Sequence, residues 1–223
     1  MPARNRPASP AQTLMETSLM ARLYESFLWR RNPLLFLLLG INSTKEYQII
    51  SGALALTGSE RILDLACGPG IYTRRFAREG SRGNVIGLDL SWPMLTYGAR
   101  LVKRDQIRNV NLLQGDALTL PIADAYFDVV NCSAALHLFG DLPETLSEVS
   151  RVLKKGGQFT FSTFRYPKDP LIQTILWLRR NIAGIRSFRQ EELESGLHKA
   201  GFGDIRILHS KGIWVVMRAT KMI

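Results

Sequence analysis

The sequence predicts a doubly wound α/β fold, a mostly parallel sheet flanked by helices and closed by an antiparallel hairpin. Three observations predict it. Residues 61–77 read R-I-L-D-L-A-C-G-P-G-I-Y-T-R-R-F-A. The apolar run stops at a glycine-rich turn and a helical pattern follows, which makes a strand, a tight loop and a helix N-terminus. Short apolar runs and helical stretches then alternate as far as residue 163. Two final runs, 205–209 and 213–218, are separated by Ser210, Lys211 and Gly212 alone, a hairpin length.

The elements follow in chain order. Residues 1–12 are rich in Pro and Ala and read as a loose, disordered tail. Residues 13–57 read as a helical cap. Over 13–31, Leu14, Leu19, Leu23, Phe27 and Leu28 lie close to one face, and Pro33 ends the helix. A second helix is expected over 43–56, with Ser43 or Thr44 as cap, Glu46 near its start and Gly58 closing it. The main domain is 58–223. Its strands are expected at 61–66, 84–88, 110–114, 127–132 and 158–163, and its helices at 71–79, after Ser91 with Pro93 in the first turn, and at 142–153 and 189–200. Lys154-Lys155-Gly156-Gly157 reads as a helix stop and turn. Residues 164–188 break the rhythm with Pro167 and Pro170 and form a lid-like insertion after strand five. With the hairpin, the sheet has seven strands.

Composition supports one decorated domain. The chain has 223 residues, 46% hydrophobic and 22% charged, which favours a folded core over disorder. Cys67 and Cys132 stand far apart with no Cys/His cluster, so no metal site is expected and a reducing, cytoplasmic compartment is. The net charge is +10, and residues 165–223 hold most of the excess, eleven Lys/Arg against five Asp/Glu. Such a surface suits an acidic membrane, nucleic acid or an anionic substrate, or is simply solvated. The greasy run 33–41 is far shorter than the roughly 20 residues that span a membrane.

Three acids carry the chemistry. Asp64 precedes the glycine turn, where a carboxylate repels a diphosphate and holds a cationic amino group. The third position of a dinucleotide fingerprint, Gly or Ala, is here Thr73. Asp89 ends strand two, where an ionised acid takes the two hydroxyls of a ribose. Asp116 follows strand three, within reach of an adenine amine. Asp89 as a helix cap and Asp116 as a turn residue are the plainer alternatives. Three acids at the ends of three consecutive strands favour a ligand.

The set D-L-A-C-G-P-G, G-L-D-L-S, G-D-A-L-T-L-P, F-D-V-V-N-C-S-A-A-L-H and R-V-L-K-K-G-G resembles class I S-adenosylmethionine-dependent methyltransferases. Its order is similar to the subgroup holding ubiquinone/menaquinone-biosynthesis and small-molecule methyltransferases. The resemblance is strong over 58–163 and implies a Rossmann-like sheet with S-adenosyl-L-methionine as cofactor. It implies that Asp64 and the backbone at Ala66, Gly68 and Gly70 hold the methionine part. Asp89 would take the ribose, Leu90 and Met94 the adenine face, and Asp116 and Ala117 its edge. Asn131 or Cys132 and Ser133 would line the pocket near the sulfonium, with Tyr72 a further contact or a packing residue. His137 is the candidate base, expected on the catalytic edge with a pKa suited to proton transfer near neutrality. His198 and His209 read as structural.

The acceptor is less legible. The Asn-Pro-Pro-aromatic loop of nucleic-acid amino-methyltransferases is replaced by Asn131-Cys132-Ser133-Ala134, so a nucleic-acid partner is not expected. The runs 34–39 and 171–178 offer aliphatic and Trp surface for a greasy lid over a small lipophilic acceptor, a quinone, phenol, polyketide or terpenoid. Arg179, Arg180 and Arg186 beside it suit headgroups or an acidic group on the substrate, and a homodimer contact is the alternative. RNA or protein methylation, NAD-dependent oxidoreduction and non-catalytic cofactor binding remain as other readings.

Overall fold

The computed structural model describes residues 9–15, 17, 19, 20, 23, 40–80, 82–167 and 169–223. Helix α1 (Pro10–Met15) opens the described chain. Pro10 and Ala11, expected in the loose tail, lie in this helix, where Pro suits the first turn. The rest of the helix expected over 13–31, and residues 33–39 of the greasy run, fall mainly outside the described residues.

Helix α2 (Ser43–Leu54) is capped by Asn42 rather than by Ser43 or Thr44. The Asn42 side-chain oxygen accepts from the Thr44 N–H at 3.1 Å and the Lys45 N–H at 2.8 Å. It ends one turn before Gly58, at Ala55 with φ 48°. An alanine in that left-handed region carries a strain that the helix pattern does not reveal.

From β1 (Arg61–Leu65) the chain alternates through α3 (Ile71–Glu79), β2 (Asn84–Asp89), α4 (Trp92–Arg104), β3 (Val110–Gln114), β4 (Phe127–Cys132), α5 (Leu142–Val152) and β5 (Leu153–Phe164). The insertion is a single helix, α6 (Pro170–Ala183), followed by α7 (Gln190–Lys199), β6 (Phe202–Lys211) and β7 (Trp214–Lys221). The seven strands run in the order β3-β2-β1-β4-β5-β7-β6. The first five are parallel, whereas β7 is antiparallel to both β5 and β6. The β6–β7 turn is Gly212-Ile213, which begins two residues later than expected and is one residue shorter, with Gly212 at φ 56°. Lys154 to Gly157 do not end a helix before a separate strand. The chain enters β5 at Leu153, opposite Phe127, and bulges so that Gln158 pairs with Val129.

The reversal of strand order at β1 and β4 leaves a crevice at their carboxyl ends. The core behind it fixes those ends. On one face, Leu63, Leu65, Val130, Phe159 and Phe161 are fully buried with Leu146 and Val149 of α5 and Leu197 of α7. On the other, Ile62, Val129 and Val216 pack on Tyr47, Ile50 and Leu54 of α2 and Phe76 of α3. Each such side chain stabilises the fold by about 1.5–3 kcal/mol through burial. Helix α2 is therefore a wall of the main domain.

Candidate active site

The crevice is a cavity of about 360 Å³, a size suited to small molecules. One end is built by the strand ends of β1, β2 and β3. Strand β1 delivers Asp64, which is 2% exposed. Its carboxylate accepts from the Thr73 hydroxyl at 2.5 Å and the Asn131 amide at 2.8 Å. The residue that breaks the dinucleotide fingerprint thus orients the acid. Desolvation by burial raises Asp64 to about 6, against the pull of these two hydrogen bonds.

Strand β2 ends at Asp89. Its Oδ2 accepts from the Gly68 N–H at 2.7 Å and its Oδ1 from the Ser91 N–H at 2.8 Å. The acid therefore shapes the glycine turn from the neighbouring strand. Asp89 also lines the cavity, at the end of β2. Gly68 and Gly70 stand at φ 54° and 78°, angles that disfavour side chains. Below the turn, Arg74 donates to the Gly70 carbonyl at 3.1 Å and pairs with Asp105 at 3.0 Å. Hydrogen bonds from Arg104 first, with Arg74 adding, hold Asp105 at about 2. Asp116 closes an Asx turn, accepting from the Leu118 N–H at 3.0 Å, and also lines the cavity.

The other end is apolar and ringed. Phe164 ends β5 and Trp214 begins β7, packed edge to face with ring centres 4.9 Å apart. His137, in a single 3-10 turn over Leu136–Leu138, stands 4.4 Å from the Phe164 ring. Tyr72, Leu138, Phe139 and Ile185 complete this end. Ala66 and Ala134, at φ 52° and 58°, face the cavity with a backbone that costs an alanine about 1–3 kcal/mol.

The expected residues are placed as follows. Asp64, Ala66, Gly68, Tyr72, Asp89, Leu90, Met94, Asp116, Ala117, Ser133 and His137 line the cavity. Gly70, Asn131 and Cys132 do not. Gly70 starts α3 behind the turn. Asn131 and Cys132 still lie in β4, covered on both sides, so Asn131 backs Asp64 and Cys132 joins the core. The chain meets the cavity only after leaving the strand, at Ser133 to Ala135.

His137 also departs from expectation. It is buried, and desolvation, with the charge of Arg179 second, depresses it from 6.5 to about 3. It is a neutral imidazole at neutral pH, and its Nδ1 is buried without a partner among the described residues. Of the expected lid, the run 34–39 lies outside the described residues, and the part after β5 covers the cavity only in part. Ile185 lines the cavity, while Ile175, Trp177, Leu178 and Ile182 of α6 face outward. Arg179 turns inward, 3.9 Å from the centre of the Phe164 ring.

Sequence reasoning missed Met15, Ser91, Phe139, Phe164 and Trp214 as lining residues. Ser91 carried a signal, as the cap of α4 beside Asp89. Phe164 and Trp214 carried none, because their meeting depends on the antiparallel pairing of β5 with β7.

An acid-rimmed glycine turn at the switch point of a doubly wound sheet defines a nucleoside-binding protein of the Rossmann-like class. A family profile described as "Methyltransferase domain" matches residues 56–199, and the chain belongs to that family. It is 36% identical over 143 residues to a demethylmenaquinone methyltransferase of Corynebacterium kroppenstedtii, covering 63% of this chain and 58% of that protein. The chain spans about half the length of the curated relatives it matches. Among solved structures, a SAM-dependent methyltransferase from Aquifex aeolicus superposes with TM-score 0.69 at 16% identity, over 92% of this chain and 99% of that one. The [4+2]-cyclase SpnF superposes with TM-score 0.68 at 19% identity, over 80% and 81%. Likeness at that identity shows the fold, and the fold hosts more than one chemistry.

Proposed function

We propose that the chain transfers a methyl group from S-adenosylmethionine to a small, lipophilic, ring-bearing acceptor. The observation that carries this reading is the division of one cavity into an acid-rimmed end and an aromatic end. The names of the curated relatives, demethylmenaquinone methyltransferases, support an acceptor of that kind.

The donor set fits the cofactor. A carboxylate at the glycine turn suits a cationic amino acid and opposes a diphosphate. When bound, the cofactor supplies an activated methyl group on a sulfonium. The chain then has to hold, orient and keep dry. Asp64 takes the ammonium group, held in place by Thr73 and Asn131. Asp89 takes the ribose hydroxyls, Leu90 and Met94 pack on the base, and Asp116 and Ala117 meet its edge. Phe164, Trp214 and Tyr72 bound the acceptor and exclude water. His137, neutral and buried, accepts a hydrogen bond from an acceptor hydroxyl and orients it, without needing to hold a full proton.

The test is incubation with methyl-labelled S-adenosylmethionine and a cell lipid extract, with mass analysis of what gains the label. Labelled aromatic or isoprenoid products are expected. No transfer, or no calorimetric binding of S-adenosylhomocysteine, overturns the reading.

A further inference from the structure

Glu46 is the most deeply engaged acid that the proposed chemistry leaves unused. It lies in the first turn of α2 and is 5% exposed. Its Oε1 accepts from the Tyr72 hydroxyl at 2.9 Å and the Ser162 hydroxyl at 2.8 Å, and its Oε2 from the Trp214 indole N–H at 2.8 Å. Three donors from α3, β5 and β7 therefore converge on one buried carboxylate. Burial pushes its pKa up, and the three hydrogen bonds pull against that.

Every partner leads to the aromatic end of the cavity. Tyr72 and Trp214 line it directly. Ser162 receives the Ala134 N–H at 2.9 Å, and Ala134 is one of the two cavity-lining alanines with positive φ. Glu46 and Trp214 both lie outside residues 56–199, the stretch matched by the family profile. The shared motifs thus say nothing about this arrangement.

Tyr and Trp each have an apolar body and one polar handle. Here both handles engage Glu46, which does not itself line the cavity. The rings are what the two residues offer to an acceptor. We propose that Glu46 is a positioning residue for acceptor choice: by fixing the polar ends of Tyr72 and Trp214 it turns their ring faces to the cavity and selects a flat, apolar acceptor over a polar one. This rests on the methyl-transfer reading and adds to it the residue that sets selectivity.

The test compares the full chain with Glu46→Gln, Tyr72→Phe and the double variant. The acceptor probes are 2-prenyl-1,4-naphthoquinol and 3,4-dihydroxybenzoate, with labelled S-adenosylmethionine as donor. Glu46→Gln should lower kcat/KM for the naphthoquinol roughly ten- to hundredfold, the loss expected for a disrupted charge-assisted set, mainly through KM. Its preference over dihydroxybenzoate should narrow, while affinity for S-adenosylhomocysteine stays within about twofold. Because Glu46 acts partly through Tyr72, the double variant should lose less than the product of the two single losses. Unchanged preference in folded Glu46→Gln, or fully multiplicative losses, overturns the proposal. Should Glu46→Gln fail to fold, Trp214→Phe removes the same indole donor, keeps a ring, and must narrow the preference likewise. If the parent chain methylates neither probe, the function reading is decided separately by the labelled lipid extract. The positioning role is then read from calorimetric binding of 2-prenyl-1,4-naphthoquinone to the S-adenosylhomocysteine complex. Tighter binding by the parent than by Glu46→Gln supports it, and equal or absent binding rejects it.

Discussion

The two ends of the cavity are built by different means. The acid-rimmed end comes from short, contiguous stretches in which a strand, a turn and a carboxylate follow one another, as at Asp64 to Gly70 and at Leu88 to Ser91. The aromatic end is assembled from Tyr72, His137, Phe164 and Trp214, held from behind by Glu46. Local motifs suffice where the ligand is read by backbone and strand ends. Long-range packing is needed where it is read by shape. The two ends should therefore respond separately to substitution.

The largest effect is expected at Asp89→Ala. It removes the acceptor for Gly68 and Ser91 and the proposed ribose contact, so S-adenosylhomocysteine affinity should fall about a hundredfold or more. Calorimetry checks this, and binding of the naphthoquinone probe should change little by comparison. Equal losses for both ligands would erase the distinction between the ends.

Protonation distinguishes them next. Asp64 is raised to about 6, so it gains its charge as pH rises through that value. Affinity for S-adenosylhomocysteine should therefore tighten between pH 5 and pH 7, and Asp64→Asn should flatten the profile. In the same state, the raised pKa contributes stability below the ordinary value of 3.8 that is lost as pH rises through about 6. His137 has the opposite sign. Its folded pKa of about 3 lies below 6.5, so its contribution is present above 6.5 and lost as pH falls toward 3. Denaturant titrations of His137→Gln should show a weaker acid loss of stability than the parent. A parallel curve would mean that the imidazole is not held neutral.

The smallest effect is expected at Asn42→Ala. Loss of this cap should cost about 1 kcal/mol of stability and loosen the first turn of α2, which carries Glu46. Urea unfolding measures the loss. A modest rise in KM for the naphthoquinol without a change in cofactor affinity would tie the cap to the aromatic end.

What the sequence made legible follows the same division. The order of strands and helices, the hairpin and the glycine turn were readable because each depends on local periodicity or on one turn. Asp64 and Asp89 were readable from their places at strand ends. Their partners were not, since Thr73 and Asn131 reach Asp64 from another element each. The depressed pKa of His137 was hidden because burial by Phe164, Trp214 and Arg179 is a tertiary fact. Glu46 read as an ordinary acid favouring a helix start. Nothing in 43–54 announces that strands more than a hundred residues away will supply its donors.

Thr73 and Asp64 have a consequence for how this chain can change. Trading the present cofactor for a diphosphate-bearing one would require removing the negative charge under the glycine bend. Doing so alone, by Asp64→Asn, leaves a single acceptor oxygen facing two buried donors, the amide of Asn131 and the hydroxyl of Thr73. Replacing Thr73 first leaves the acid short of a donor. Neither single step is neutral, so the preference is locked by mutual dependence, and an evolutionary route out of it must cross a less stable intermediate.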